Sequence, residues 1–173
     1  MKNRALTWVL AAGIMTAGVS GRAGFSADPT TTKHLTVATS AIPAAVAPGA
    51  RVSLVVEVAP KPTMHVYAPG QKDFIPVSLT LAASDAIKAE TAQFPVAEKL
   101  EVKDLGETHL VYTKPFRIVQ DVTIAKSALV RRSSTITVKG TLKYQACDTS
   151  ICYAPVSVPV TWTLALQLQS EAP

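Results

Sequence analysis

The sequence predicts an all-β protein, an antiparallel β-sandwich, from strand period, turn spacing and the lack of helical patterning. About eight or nine short runs alternate apolar with polar residues, the period of strands that bury one face. They recur roughly every ten residues between breaks rich in proline, the rhythm of sandwich strands and their turns. No stretch carries a convincing amphipathic-helix period. An immunoglobulin-like topology fits this pattern best, and a jelly roll fits it too.

The strands follow in order. His34 to Thr39 is a first strand, and Pro48-Gly49 marks a turn before Arg51 to Val58, whose β-branched density makes it the clearest strand of the chain. Pro60 and Pro62 end it, because proline has no amide proton to give to a ladder. Met64 to Ala68 is short, and Pro69 to Asp73 forms a loop leading to Val77 to Ala82. Ile87 to Ala92 alternates as a strand, which we prefer to a helical turn beginning near Ala83. Phe94-Pro95 opens an irregular, charge-rich segment from Val96 to Gly106. Leu110 to Tyr112 begins the next strand, Lys114-Pro115 interrupts it, and Phe116 to Ile124 continues the β pattern. Thr135 to Tyr144 and Val156 to Leu164 are the last two alternating runs.

Residues 1–23 read as a secretory signal, with Lys2, Asn3 and Arg4 as a basic start and Ala5 to Val19 as an uncharged apolar run. That run is short for a membrane span, which needs about 20 apolar residues. Residues 24–33, with Asp28 to Lys33 rich in proline and threonine, are expected to be a mobile linker, residues 34–169 one domain, and residues 170–173 a frayed tail. Without residues 1–23 the net charge falls from +5 to +2, so the basic balance lies mostly in the signal. Arg131-Arg132 is the sole adjacent basic pair, and no electrostatic footprint for nucleic acid exists.

The chain has two cysteines, Cys147 and Cys152, and both lie between its last two strands. They therefore flank the tip of a β-hairpin, with Asp148, Thr149 and Ser150 as turn residues. Opposed residues of antiparallel strands stand roughly 4.5–5.5 Å apart, within disulfide reach, so a cystine across the hairpin mouth is expected. As a staple it is poorly placed. Closing a ring of about six residues stabilises a fold by about 2 kcal/mol, against nearly 5 for a loop of about 100. A tip position also leaves a sulfur open to an incoming thiolate. Redox exchange, a structural bridge and metal binding all remain open on this chemistry.

The residues around the pair carry a resemblance. Tyr144-Gln145-Ala146-Cys147 followed by Cys152-Tyr153-Ala154-Pro155 is similar to the signature of the N-terminal periplasmic domain of the thiol:disulfide interchange protein DsbD. Upstream, Met64-His65-Val66-Tyr67 resembles the family's aromatic strand, Gln93-Phe94-Pro95 its glutamine-x-proline segment, and Leu105-Gly106-Glu107 with Val111-Tyr112 its cap loop and following strand. The likeness covers roughly residues 35–168. It implies an immunoglobulin-like sandwich with a cap-like loop over the cysteine hairpin, and a stand-alone exported, periplasmic oxidoreductase component. It further implies that His65 and Tyr67 lie beside the cysteines, that Lys103 to Glu107 caps them, and that Cys152 bonds to the partner. The implied partners are a thioredoxin-like or membrane-embedded thiol reductant and, as acceptor, a periplasmic disulfide isomerase or cytochrome c maturation protein.

Other candidates are thin. Asp104 and Glu107, flanking Leu105, could hold a carboxylate near the sulfurs, raising the thiol pKa and accepting a proton, or could be solvated loop charge. His65 and Tyr67 share a strand face by their spacing, and Tyr112, Tyr144 and Tyr153 are further aromatics with polar tips; all five are candidates for the surroundings of the cysteines, with core or rim packing as the alternative. Three scattered histidines do not indicate zinc. Met64, His65, His109 and two thiolates are ligand types that Cu(I) takes, but nothing in their spacing brings them together. We expect no cofactor, no metal and a monomer. The competing reading is a non-catalytic immunoglobulin-like binding module whose cystine stiffens the hairpin.

Overall fold

A computed structural model describes residues 28–102 and 106–167. The expected signal (1–23), Lys103, Asp104 and Leu105 of the expected cap, and the expected tail (170–173) lie outside the described residues. In chain order the strands are β1 (Thr30–Thr31), β2 (Leu35–Ile42), β3 (Ala45–Val46), β4 (Arg51–Pro60), β5 (His65–Tyr67), β6 (Ser78–Leu81) and β7 (Ile87–Ala89). They continue with β8 (Glu98–Val102), β9 (Glu107–Tyr112), β10 (Phe116–Ile124), the one-turn helix α1 (Ala128–Arg131), β11 (Thr135–Tyr144), β12 (Ala146–Cys147) and β13 (Val156–Leu166).

The strands form the expected antiparallel sandwich. One sheet has the spatial order β1-β2-β4-β10-β7, a second β3-β13-β11-β6, and a third, smaller sheet β12-β5-β9-β8. Alternation builds the core directly: Val158, Val160, Trp162 and Leu164 of β13 point inward against Leu35 and Val37 of β2 and Val52, Leu54, Val56 and Val58 of β4. Hydrogen bonds cross between the large sheets, among them those from the Trp162 indole N–H to Val55 O (3.1 Å) and from Thr39 Oγ1 to Thr161 O (2.8 Å). Gly140 on β11 leaves room for this indole; a Cβ there would stand 3.3 Å from the Trp162 ring and 3.0 Å from Thr80 O.

Two expectations are corrected. Within the supposed mobile linker, Thr30 and Thr31 pair with Val37 and Thr36, and Thr32 Oγ1 bonds Leu35 O and the Tyr144 hydroxyl, so this stretch is part of the sheet. Threonine is β-branched and its hydroxyl serves the turn, which outweighs the adjacent proline. The segment from Val96 to Gly106, expected to be irregular, contains β8 paired along its length with β9. Its Glu98, Lys99 and Glu101 disguised a period-two pattern that Leu100 and Val102 complete.

Candidate active site

The site begins where the long hairpin ends. β11 and β13 pair residue for residue from Thr135↔Ala165 to Tyr144↔Val156, and the chain between them leaves this ladder. Gln145 directs the departure: its side chain accepts from Ile75 N–H (2.9 Å) and donates to Tyr153 O (3.1 Å). β12 then joins the third sheet, with Ala146 opposite Val66 and Cys147 opposite His65. Asp148 closes the turn. Its Oδ1 accepts from the amides of Ser150 (2.7 Å) and Ile151 (2.8 Å), and its Oδ2 accepts from the Tyr153 hydroxyl (2.7 Å). Cys147 and Cys152 face each other across this turn as a disulfide with Cα atoms 4.0 Å apart.

The third sheet gives the sulfurs their surroundings through strand alternation. Val66, Tyr112 and Ala146 point into the main core, whereas Tyr67, Val111 and Cys147 form a separate buried cluster on the opposite face, with Leu100 and Phe74 packed against it. On that face the Tyr67 hydroxyl donates toward Cys147 Sγ (3.1 Å) and Cys152 Sγ (3.4 Å). The phenol ring is stacked on Phe74 (4.2 Å between centroids, 11° between planes) and met edge-on by His65 and His109. These residues line an open cleft of about 580 Å³ that includes Met64, Glu101, Val102 and the tip from Cys147 to Cys152.

The two sulfurs are unequal. Cys147 is 1% exposed, while Cys152 and Ile151 lie open to solvent. Burial, helped by the nearby Glu107 carboxylate, holds the Tyr67 hydroxyl above its ordinary pKa, so it stays protonated. Burial and then the neighbouring His109 depress the His65 pKa, against a smaller opposing pull from Asp148. Asp148 titrates below the ordinary carboxylate range, because the Ile151 and Ser150 amides and the Tyr153 hydroxyl all bond its charged form. Tyr153 is raised in turn, mainly by that bond to Asp148.

Of the residues singled out in the sequence, His65, Tyr67 and the two cysteines meet in the cleft. Tyr153 follows Cys152 in the chain, but its hydroxyl donates to Asp148 Oδ2 and its ring packs on His34 (4.5 Å between centroids) rather than on a sulfur. Tyr112 and Tyr144 do not meet the sulfurs: the Tyr112 hydroxyl donates to Pro95 O (2.7 Å), and Tyr144 bonds Thr32 and His34 in the core. Glu107 is exposed and bonds His109 Nε2 (3.0 Å) rather than a sulfur. Asp104 and Leu105 lie outside the described residues. Met64, His65 and His109 do line the same cleft as the cysteines, although no group of three or more His, Cys, Asp or Glu able to hold a metal occurs among the described residues. Phe74 was not expected, and His109 was considered only as a copper ligand; its alternation with Val111 on β9 places it on the site face.

Residues 32–162, both cysteines among them, match the family described as the thiol:disulfide interchange protein DsbD, N-terminal. The chain belongs to this family. The DsbD N-terminal match begins at Thr32, whose hydroxyl bonds the Tyr144 hydroxyl (2.9 Å). Among solved structures, the N-terminal periplasmic domain of ScsB from Proteus mirabilis is similar over 81% of this chain and 51% of that one, at 14% identity and a TM-score of 0.53. This chain thus spans about half the length of that structure, and the likeness is one of fold. The yeast GGA1 GAE domain is similar over 76% of this chain and 94% of that one, at 11% identity and a TM-score of 0.42, too low to carry any argument. No curated protein matches the sequence.

Proposed function

We propose that this chain performs thiol–disulfide exchange in the periplasm through Cys147 and Cys152, with residues 1–23 as its export signal. It relays reducing equivalents from a thioredoxin-like or membrane-embedded thiol reductant to a periplasmic disulfide isomerase or cytochrome c maturation protein. The observation that carries the reading is the unequal pair at the hairpin tip, one sulfur buried and one open to a partner. A bridge closing so small a ring adds only about 2 kcal/mol as a staple. Family membership supports the chemistry, and the compartment named for the ScsB domain supports the location.

In the reducing half-cycle a reductant thiolate attacks Cys152 Sγ. A mixed disulfide forms, the Sγ–Sγ bond breaks, and its electron pair passes to Cys147 Sγ. The reductant's second thiol attacks the mixed disulfide, which oxidises the reductant and leaves this domain as a dithiol. In the second half-cycle Cys152 attacks the acceptor's disulfide, and Cys147 resolves the product, restoring the bridge and releasing the acceptor reduced. Equilibration of the purified protein with glutathione tests the assignment. A reduction potential near or above about −250 mV is expected, whereas one well below about −300 mV marks an inert bridge and overturns it.

A further inference from the structure

Breaking the disulfide at Cys152 creates a thiolate at Cys147, and Cys147 is almost wholly shut off from water. An anion formed in such a place needs a protein donor, since burying an unpaired charge is costly. Among the described residues, the hydrogen-bond donor that reaches Cys147 Sγ is the Tyr67 hydroxyl, at 3.1 Å. A disulfide sulfur carries no proton, so the phenol is the donor even in the oxidised protein. We infer that Tyr67 is a catalytic residue of the exchange, its hydroxyl stabilising the thiolate that departs at Cys147. The inference rests on the proposed exchange through this pair.

The phenol is built for donation rather than proton release. Burial holds its hydroxyl above the ordinary phenol value, so it lends its proton in a hydrogen bond without giving it up. The ring is also held in place before the reaction. Phe74 is stacked on one face, His65 and His109 meet it edge-on, and the side chain is itself 1% exposed. A donor fixed ahead of time needs no reorganisation as charge develops. The same hydroxyl stands at 3.4 Å from Cys152 Sγ, the sulfur that solvent can reach. Its help therefore falls chiefly on the sulfur that water cannot serve, which biases an incoming thiolate toward Cys152.

The electron count is that of simple exchange. The attacking thiol pair is oxidised and the Cys147–Cys152 bridge reduced. The Cys147 thiolate waits on the Tyr67 hydrogen bond until it attacks again.

The test opens the bridge of the full chain with dithiothreitol at pH 7, in the wild type and in Tyr67→Phe, which keeps the ring and removes the donor. Loss of a hydrogen bond to a charged sulfur is expected to slow opening about ten-fold or more. In a Cys152→Ser background, where Cys147 is the lone thiol, Tyr67→Phe is expected to move the alkylation midpoint of Cys147 up by about one pH unit. Slower opening with an unmoved Cys147 midpoint would mean that the residue acts by packing alone and would overturn the inference. A wild-type bridge that dithiothreitol never opens sinks the exchange reading, and this inference with it. A wild-type bridge that opens readily, with Tyr67→Phe opening as fast, sinks the tyrosine assignment and leaves the exchange reading standing. If Tyr67→Phe does not fold, 3-fluorotyrosine placed at position 67 decides the matter: its more acidic phenol must speed opening and lower the Cys147 midpoint, and no change overturns the inference.

Discussion

The third sheet has two faces made from the same few strands, and they do different work. One face sends Val66, Tyr112 and Ala146 into the main core; the other sends Tyr67, Val111 and Cys147 into the cleft. Each face holds a buried tyrosine. On the core face the Tyr112 hydroxyl is satisfied by a backbone carbonyl, and its ring stacks on Phe116 (4.1 Å). On the cleft face the Tyr67 hydroxyl points at the two sulfurs. Period-two alternation alone separates them, so strands that hold the fold together can also deliver reactive groups to solvent without a dedicated scaffold.

The faces should part company when each is damaged. Tyr112→Ala removes a core ring that is 3% exposed, together with its stacking on Phe116 and its hydrogen bond. Urea denaturation is expected to show a loss of about 3–5 kcal/mol, while the molecules that remain folded exchange thiols at the wild-type rate. An equal loss of exchange in the folded fraction would erase the distinction between the faces. The double change Cys147→Ala and Cys152→Ala is the converse. It should cost about 2 kcal/mol in the same titration, since it opens so small a ring, and should abolish exchange completely. A loss as large as that of Tyr112→Ala would mean that the bridge is a staple after all.

The fold was legible because its strands are regular. Arg51 to Val58, Phe116 to Ile124 and the two hairpin arms announce themselves by alternation, and the signature around Cys147 and Cys152 points to the candidate site. What escaped is what alternation cannot carry. β8 was hidden because three of its five side chains are charged, and an edge strand tolerates charges that read as loop. Phe74 comes from a loop, where no period says which way a side chain faces, and only the packed structure brings it onto Tyr67. The third sheet itself was invisible, because Ala146 and Cys147 leave the partner that their own hairpin supplies and pair with β5, about eighty residues earlier. Tyr112 and Tyr144 resembled Tyr67 in type and are as deeply buried, and only the cluster each packs in assigns them to the main core.

The smallest expected effect sharpens the comparison at the tip, where Asp148 closes the turn between the sulfurs. Asp148 is bonded in its charged form by two amides and a phenol, so its pKa in the folded protein lies below the unfolded value near 3.8. The sign follows from linkage. Over the interval between the two values the unfolded tip binds more protons than the folded one, so this contribution is fully present above about pH 4 and fades as pH falls through the folded pKa. The group is solvent-facing, and the effect should therefore be local. Amide exchange at Ser150 and Ile151 is expected to lose protection below about pH 4, while Val158 and Val160 on the hairpin arm stay protected. In Asp148→Asn the acid step should vanish, and the Tyr153 phenol, relieved of the carboxylate that raises it, should titrate closer to its ordinary value near 10. Protection at Ser150 that ignores pH in the wild type, or a Tyr153 titration unmoved by the substitution, would detach the carboxylate from the geometry of the turn and leave the disulfide alone to hold it.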